Sequence, residues 1–209
     1  MQKILNKKGF TLVEMLVVIA ILGIFGLMMS VIYIRSLKGS YKSEVLSAIK
    51  RNGQQVLEVM DKTIRNADNI VCVNNAFTTN DRTLKVIVVE KEGKYTRFSY
   101  IPPVTSSPKR NGYIAQDNLD YDPNELPSTL CAENIEQASS TYKVLTDSTP
   151  AAGSGLSVSV TDAEITSDKL AGFKDLVTIS LSIEEGVSIS SDLAGEISPE
   201  TFQTTIQLR

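Results

Sequence analysis

Histidine is absent from this chain of 209 residues, and cysteine occurs only at Cys72 and Cys131. Without histidine the chain lacks the commonest general base and a common metal ligand, which excludes a Ser-His-Asp triad, a Cys-His dyad and a histidine-ligated zinc site within one chain. Two cysteines are also too few for a four-thiolate metal site. We therefore predict that the protein is not an enzyme and that it uses no cofactor.

Charge is missing from residues 15–34, which read MLVVIAILGIFGLMMSVIYI. At about 1.5 Å per residue, a helix of this length reaches about 30 Å, the thickness of the hydrocarbon core of a bilayer. A secretory signal has a shorter apolar region followed by small residues at a cleavage site, and this segment has neither feature. The run therefore predicts a membrane-spanning helix rather than a helix buried in a soluble core.

Glu14 stands at the amino-terminal side of this run, one helical turn after Phe10, and the residues before Phe10 include Lys3, Lys7 and Lys8 but no acid. A carboxylate in hydrocarbon costs about 2.5–3.5 kcal/mol on insertion scales, so an acid at this place indicates a function. The alternative is that Glu14 only reaches to the membrane interface of a simple anchor.

Residues 9–14 read GFTLVE and resemble the prepilin signature of type IV pilins and type II secretion pseudopilins. The resemblance implies that a membrane peptidase cleaves after Gly9, that the same enzyme methylates the new amino group of Phe10, and that Glu14 acts in subunit assembly. It also implies further partners: other pilin or pseudopilin subunits, the inner-membrane assembly platform and the membrane itself. The chain would begin as a single-pass inner-membrane protein with its head outside the cytoplasm and end in a pilus or pseudopilus.

A charge pair between the amino group of Phe10 and the carboxylate of Glu14 gives a physical reason for the motif. Cleavage would leave an ammonium or methylammonium group at Phe10, and Glu14 of an incoming subunit could neutralise that group on a neighbour in apolar surroundings. Many pilins have a helix-kinking proline in this segment, whereas residues 10–66 here contain none. With the length of the chain, this favours a minor pilin or a J-type pseudopilin near the tip over a major subunit.

A second, amphipathic half of the helix is expected to continue to about residue 66. Apolar or small residues recur with a period close to 3.6 at Leu37, Tyr41, Val45, Ala48, Ile49, Val56, Met60, Ile64 and Ala67. This stripe predicts packing against a head domain rather than a dimeric coiled coil, because its heptads are irregular. Gly39 and Gly53 are expected either to let the helix bend or only to lower its local stability, because glycine has a low helix propensity.

The pattern beyond residue 67 predicts β-strands. The expected fold class is α+β, a long amino-terminal helix packed on an antiparallel β-sheet of five or six strands, with a loop-rich segment at 102–140. The expected strands are 83–90, 94–101, 141–146, 156–161, 176–184 and 201–209. The domain boundaries that follow are a leader at 1–9, a transmembrane and assembly helix at 10–34, a stem helix at 35–66 and a head at 67–209.

Two candidate sites fall in the head. If the head lies outside the cytoplasm, Cys72 and Cys131 can form a disulfide, which would add about 2–4 kcal/mol, although two buried thiols are the alternative. Asp120, Asp122 and Asn124 have the spacing that opens an EF-hand loop. However, Glu125 replaces the turn glycine and Cys131 replaces the bidentate glutamate, so we expect a solvated acidic loop rather than a calcium site.

Charge is divided unevenly along the chain. Residues 35–66 hold seven basic and three acidic groups, whereas residues 67–209 hold 11 basic and 20 acidic groups. An acidic head disfavours nucleic acid as a partner, because phosphate binding needs clustered lysine and arginine. The leading hypothesis is therefore a structural filament subunit. The alternative is a competence-type or adhesive pilin whose head binds DNA or a surface.

Overall fold

The structure is a computed structural model, and it describes residues 11–79, 82–104, 106, 109–119, 130–131, 141–146, 148, 157–168, 174–186 and 197–208. These residues form one α-helix, α1 (Leu12–Arg65), followed by β-strands. The strands are β1 (Asn69–Thr79), β2 (Arg82–Lys91), β3 (Lys94–Ile101), β4 (Tyr113–Leu119), β5 (Lys143–Val144), β6 (Val158–Asp168), β7 (Leu176–Glu185) and β8 (Glu200–Gln207). The chain divides into two compact units, residues 1–41 and residues 42–209.

The predicted α+β class, with a long helix and an antiparallel β head, is confirmed. The prediction of a single sheet is wrong, because the described strands form two antiparallel sheets in the orders β1-β2-β3-β4-β5 and β6-β7-β8. β1 and β4 were not expected as strands. Two register shifts in β1 break its period-2 pattern, and β4 lies within the proline-rich segment 102–140 but contains no proline itself.

The second half of α1 buries one face. Of the predicted stripe, Leu37 is exposed and Tyr41 is half-buried, whereas the members from Val45 onward are 0–6 % exposed. Asn52 and Gly53 are also buried on this face, although neither residue type indicates a core position. The helix therefore has a buried stripe only in the part that belongs to the second unit, which begins at Lys42.

Gly53 is a packing site rather than a bend. A Cβ built on Gly53 would lie 2.5 Å from Cε2 and 2.7 Å from Cγ of the Phe202 ring on β8. Distances of that kind are far inside van der Waals contact, so the absence of a side chain lets β8 approach the helix closely. Gly39, in contrast, has no atom within 4 Å of a Cβ.

We expect Gly53→Ala to destabilise the protein even though alanine is the better helix former. The gain of about 1 kcal/mol in helix propensity is outweighed by about 1–3 kcal/mol of overpacking against Phe202. Thermal unfolding of the full chain in detergent measures the effect. Phe202→Leu in the same chain should recover part of the loss, and a rise in Tm for Gly53→Ala alone would contradict the packing role.

A buried ion pair joins the middle strands of the larger sheet. Arg97 on β3 and Asp117 on β4 are direct cross-strand partners, and Arg97 Nη2 donates to Asp117 Oδ2 at 2.8 Å. Their side chains are 0 % and 2 % exposed. Arg97 Nη1 also donates to the carbonyl of Leu130 at 3.4 Å. The guanidinium thus connects the sheet to the segment that contains Cys131.

We expect Arg97→Met to lower the free energy of unfolding by about 3–5 kcal/mol, because Asp117 would remain buried without its counter-charge. Adding Asp117→Leu should restore most of this loss, because no charge is then buried. Lys85→Met is the matched control: Lys85 pairs with Asp162, whose side chain is 68 % exposed, and breaking such a pair costs about 1 kcal/mol or less. Urea unfolding of the three variants measures these differences, and equal losses for both single variants would contradict the account.

Several polar contacts join the two sheets through β6. The Tyr100 hydroxyl donates to the carbonyl of Thr161 at 2.6 Å. Lys85 Nζ lies 3.0 Å from Asp162 Oδ1, and the amide of Val160 donates to the carbonyl of Gly112 at 2.9 Å. Burial, followed by the nearby carboxylates of Asp162 and Glu184, raises the pKa of the Tyr100 phenol. The two sheets are therefore connected by directed hydrogen bonds as well as by apolar packing.

The end of β7 carries two carboxyl groups that the fold disfavours as anions. Burial, with Glu185 as a second cause, raises the pKa of Glu184 above its ordinary value of 4.5, and burial raises the pKa of Glu185. Because the folded state holds these protons more tightly than the unfolded chain, the contribution of the two groups to stability falls as the pH rises above about 4.5.

We expect the double variant Glu184→Gln/Glu185→Gln to lose less stability than the wild type as the pH rises from 4.5 towards 7. Each group is partly exposed, so solvent screening keeps the difference at neutral pH small. Chemical unfolding at a series of pH values measures it. Glu164→Gln on the exposed face of β6 controls for the removal of one surface carboxylate, and identical pH slopes for wild type and double variant would contradict the prediction.

Candidate assembly site

The amino-terminal unit contains an uncovered apolar helix. Every large apolar side chain from Leu12 to Leu37 is 46–80 % exposed. Soluble monomers rarely expose a contiguous apolar surface of this size, which indicates contact with a membrane or another protein. Within the part of the chain that the structure describes, α1 is long and apolar enough to cross a membrane by length and composition.

Glu14 closes a capping box at the start of α1. Thr11 immediately precedes the helix, and its Oγ1 accepts a hydrogen bond from the amide of Glu14 at 3.3 Å. In return, Glu14 Oε2 accepts from the amide of Thr11 at 2.9 Å and from its hydroxyl at 3.0 Å. Each side chain satisfies a backbone donor that a helix terminus leaves without a partner, which fixes the first turn.

Within a single chain, the capping box holds the Glu14 side chain in one place. Its carboxylate is held at the first turn by two donors of Thr11, close in sequence to the predicted amino terminus at Phe10. The negative charge also lies at the positive end of the helix dipole, where it is favoured. A single chain therefore presents a fixed, accessible carboxylate at the end of its apolar helix.

Thr11 is the residue that sequence reasoning missed here. The signal was present, because Thr11 and Glu14 have the Ser/Thr-x-x-Glu spacing of a capping box directly before an apolar run. Gly23 and Gly26, which lie within the uncharged run, have no atom within 4 Å of a Cβ placed on them. Nothing in the described part of the chain therefore requires glycine at those two positions.

The remaining predicted site residues divide into two groups. Gly9, Phe10, Asp120, Asp122 and Asn124 lie outside the described residues. Cys72 on β1 and Cys131 are joined by a disulfide, and Asn74 Nδ2 donates to the carbonyl of Cys131 at 3.3 Å. Among the described residues, no group of three or more histidine, cysteine, aspartate or glutamate side chains is placed to hold a metal ion.

Comparison with known proteins adds one decisive observation. Residues 4–30 match the protein family described as the prokaryotic N-terminal methylation motif. The amino-terminal segment therefore carries this methylation motif. The matched residues include the junction at 9–10, the capping box and most of the uncovered helix, and the match supports the resemblance to type IV pilins and pseudopilins. Searches of curated proteins and of solved structures returned no match.

The matched segment offers a surface for contacts. It presents an apolar helix surface and one carboxylate, and the motif match supports a pilin-like subunit. By length and composition the helix can therefore cross a bilayer, and it offers an apolar surface to equivalent helices.

Proposed function

We propose that the protein is a structural subunit of a type IV pilus or a type II secretion pseudopilus. A prepilin peptidase cleaves the chain after Gly9 and methylates Phe10. Before assembly, the subunit is a single-pass protein of the inner membrane with its head outside the cytoplasm. The assembly platform then brings its helix against the helices of other subunits. The leader, the assembly helix, the stem and the head retain the boundaries 1–9, 10–34, 35–66 and 67–209.

The observation that carries this proposal is the exposed helix together with its capped acid. Residues 12–37 leave their apolar side chains open, while Glu14 is already ordered by Thr11. A helix that is apolar on all sides gains little by packing on its own head, but it is covered in lipid and then among other helices. Exchange of lipid for protein neighbours would also give the Glu14 carboxylate an ammonium partner.

A minor position near the filament tip fits the chain better than a place in the shaft. Residues 10–66 contain no proline, and α1 is continuous over 54 residues. The head is also large, with two sheets. Immunogold labelling of filaments should then mark one end rather than the full length.

We expect Glu14→Gln to be cleaved and methylated normally but to enter filaments poorly, because the neutral amide cannot compensate the charge of a neighbour's amino terminus. The measurement has two readouts in the native host: the intact mass, which reports removal of residues 1–9 and one added methyl group, and the amount of protein in sheared filaments. A drop of about tenfold or more in the filament fraction is expected for the loss of one desolvated charge pair.

Glu44→Gln is the matched control, because it removes one carboxylate from an exposed position on the same helix. It should leave both readouts unchanged. Wild-type protein that retains its starting methionine would contradict the processing step. Equal filament fractions for Glu14→Gln and Glu44→Gln would contradict the role of the charge pair in assembly.

A further inference from the structure

β8 forms an open edge of the smaller sheet. Among the described residues its only strand partner is β7, with which it pairs without a register shift from Glu200 to Gln207. The amide of Leu208 donates to the carbonyl of Asp175 across the same strand pair at 3.1 Å. Since hydrogen-bonded residues alternate along an antiparallel strand, the even-numbered residues bond to β7 and the odd-numbered residues turn their amides and carbonyls to the open side. We call the odd-numbered residues of β8 the free edge: Thr201, Gln203, Thr205 and Gln207.

The free edge lacks the features that usually protect an edge strand. Natural sheets protect their edges with lysine, proline, bulges or very short strands. The free edge contains neither lysine nor proline, and its side chains are uncharged and exposed. Other edges of the described sheets do have protection, because β1 has two register shifts and β5 has two residues. β6 bonds to the larger sheet through the carbonyl of Thr161 and the amide of Val160. The free edge of β8 is therefore suited to an added strand.

A second copy of the chain fits the free edge poorly. Two β8 strands paired antiparallel, the stronger arrangement, would be related by a two-fold axis perpendicular to the sheet. That axis reverses every direction in the plane of the sheet, including the direction of α1, which packs on β8 where Gly53 meets the Phe202 ring. Two such helices could not enter one membrane or one filament in the same direction. The free edge therefore fits a strand from a different chain.

We propose that the free edge accepts an extended strand from a different pilin-type subunit, which continues the three-stranded sheet. The chemistry of β8 defines that strand. On the exposed side, uncharged polar residues such as threonine, serine or glutamine would face the free edge. On the other side, apolar residues would continue the surface of Phe202 and the fully buried Ile206. The inference rests on the proposed function, since the neighbour belongs to the same filament.

One proline substitution separates the backbone of the free edge from its side chains. Thr205→Pro removes an outward amide that β7 does not use, whereas the matched control Thr205→Ala removes the side chain and keeps the amide. The full chain is produced in the native host with a photo-crosslinking residue at Gln203. Wild type and Thr205→Ala should give an adduct with a different chain that carries the same amino-terminal motif. Thr205→Pro should lose about tenfold of that adduct, because one backbone hydrogen bond is lost and the ring obstructs the incoming strand.

A second variant keeps the test decisive where Thr205→Pro fails to fold, as judged by thermal unfolding in detergent. Gln207→Lys keeps every amide but places a charge against the incoming strand, so it should fold as wild type does and also lose the adduct. Hydrogen exchange adds a readout on the wild type: the amides of the free edge should exchange rapidly in the detergent-purified chain and become protected in sheared filaments.

Three results would overturn the inference: an unchanged adduct in folded Thr205→Pro or in Gln207→Lys, adducts only between copies of this chain, or free-edge amides that are already protected in the purified chain. If Thr205→Pro enters filaments with an unchanged adduct, the proposed function stands and the edge contact falls. If the wild type forms the adduct in the membrane but never enters filaments, the proposed function falls and the edge contact stands.

Discussion

The structure depends on one constraint: the apolar side chains of α1 from Leu12 to Leu37 must be covered by something other than the described part of their own chain. Contact of that surface with water is unfavourable, whereas contact with lipid or with equivalent helices is favourable. The single acid of this segment, Glu14, also limits how the helix can be covered, because its carboxylate is unfavourable in apolar surroundings without a counter-charge. Thr11 orders the Glu14 carboxylate at the end of the helix, so under the proposed function burial among neighbours favours a register in which a positive charge meets it.

The head supplies its own core and therefore leaves the first half of the helix free. Its sheets close over the stripe that begins at Val45, with the Phe202 ring seated on Gly53. The Arg97–Asp117 pair and the Cys72–Cys131 disulfide bind the segment near residue 131 to the larger sheet. The second half of the helix thus packs in the core of the head, whereas the first half must be covered by something else.

Features with a strong period or a fixed spacing could be predicted from the sequence. The membrane-crossing half of the helix followed from the length of its uncharged run, and the buried stripe from Val45 followed from a 3.6-residue repeat. β3 followed from its β-branched and aromatic residues, and β7 followed from alternation. β1 and the division into two sheets did not follow, because bulges disrupt alternation and sheet membership depends on contacts between distant segments. Gly53 was interpreted as a bend or a weak point, because the ring of Phe202 that explains it lies far away in the sequence. The role of Thr11 was local and could have been predicted.

The most direct test of the uncovered helix is photo-crosslinking in living cells, with the crosslinking residue placed in turn at Leu16, Ile24 and Ile32. The account predicts protein adducts at these positions, formed with chains that carry the same amino-terminal motif and lost when Glu14 is replaced by glutamine. Adducts to lipid alone at every position in the otherwise wild-type chain would contradict the account, because the helix would then be a membrane anchor without an assembly role.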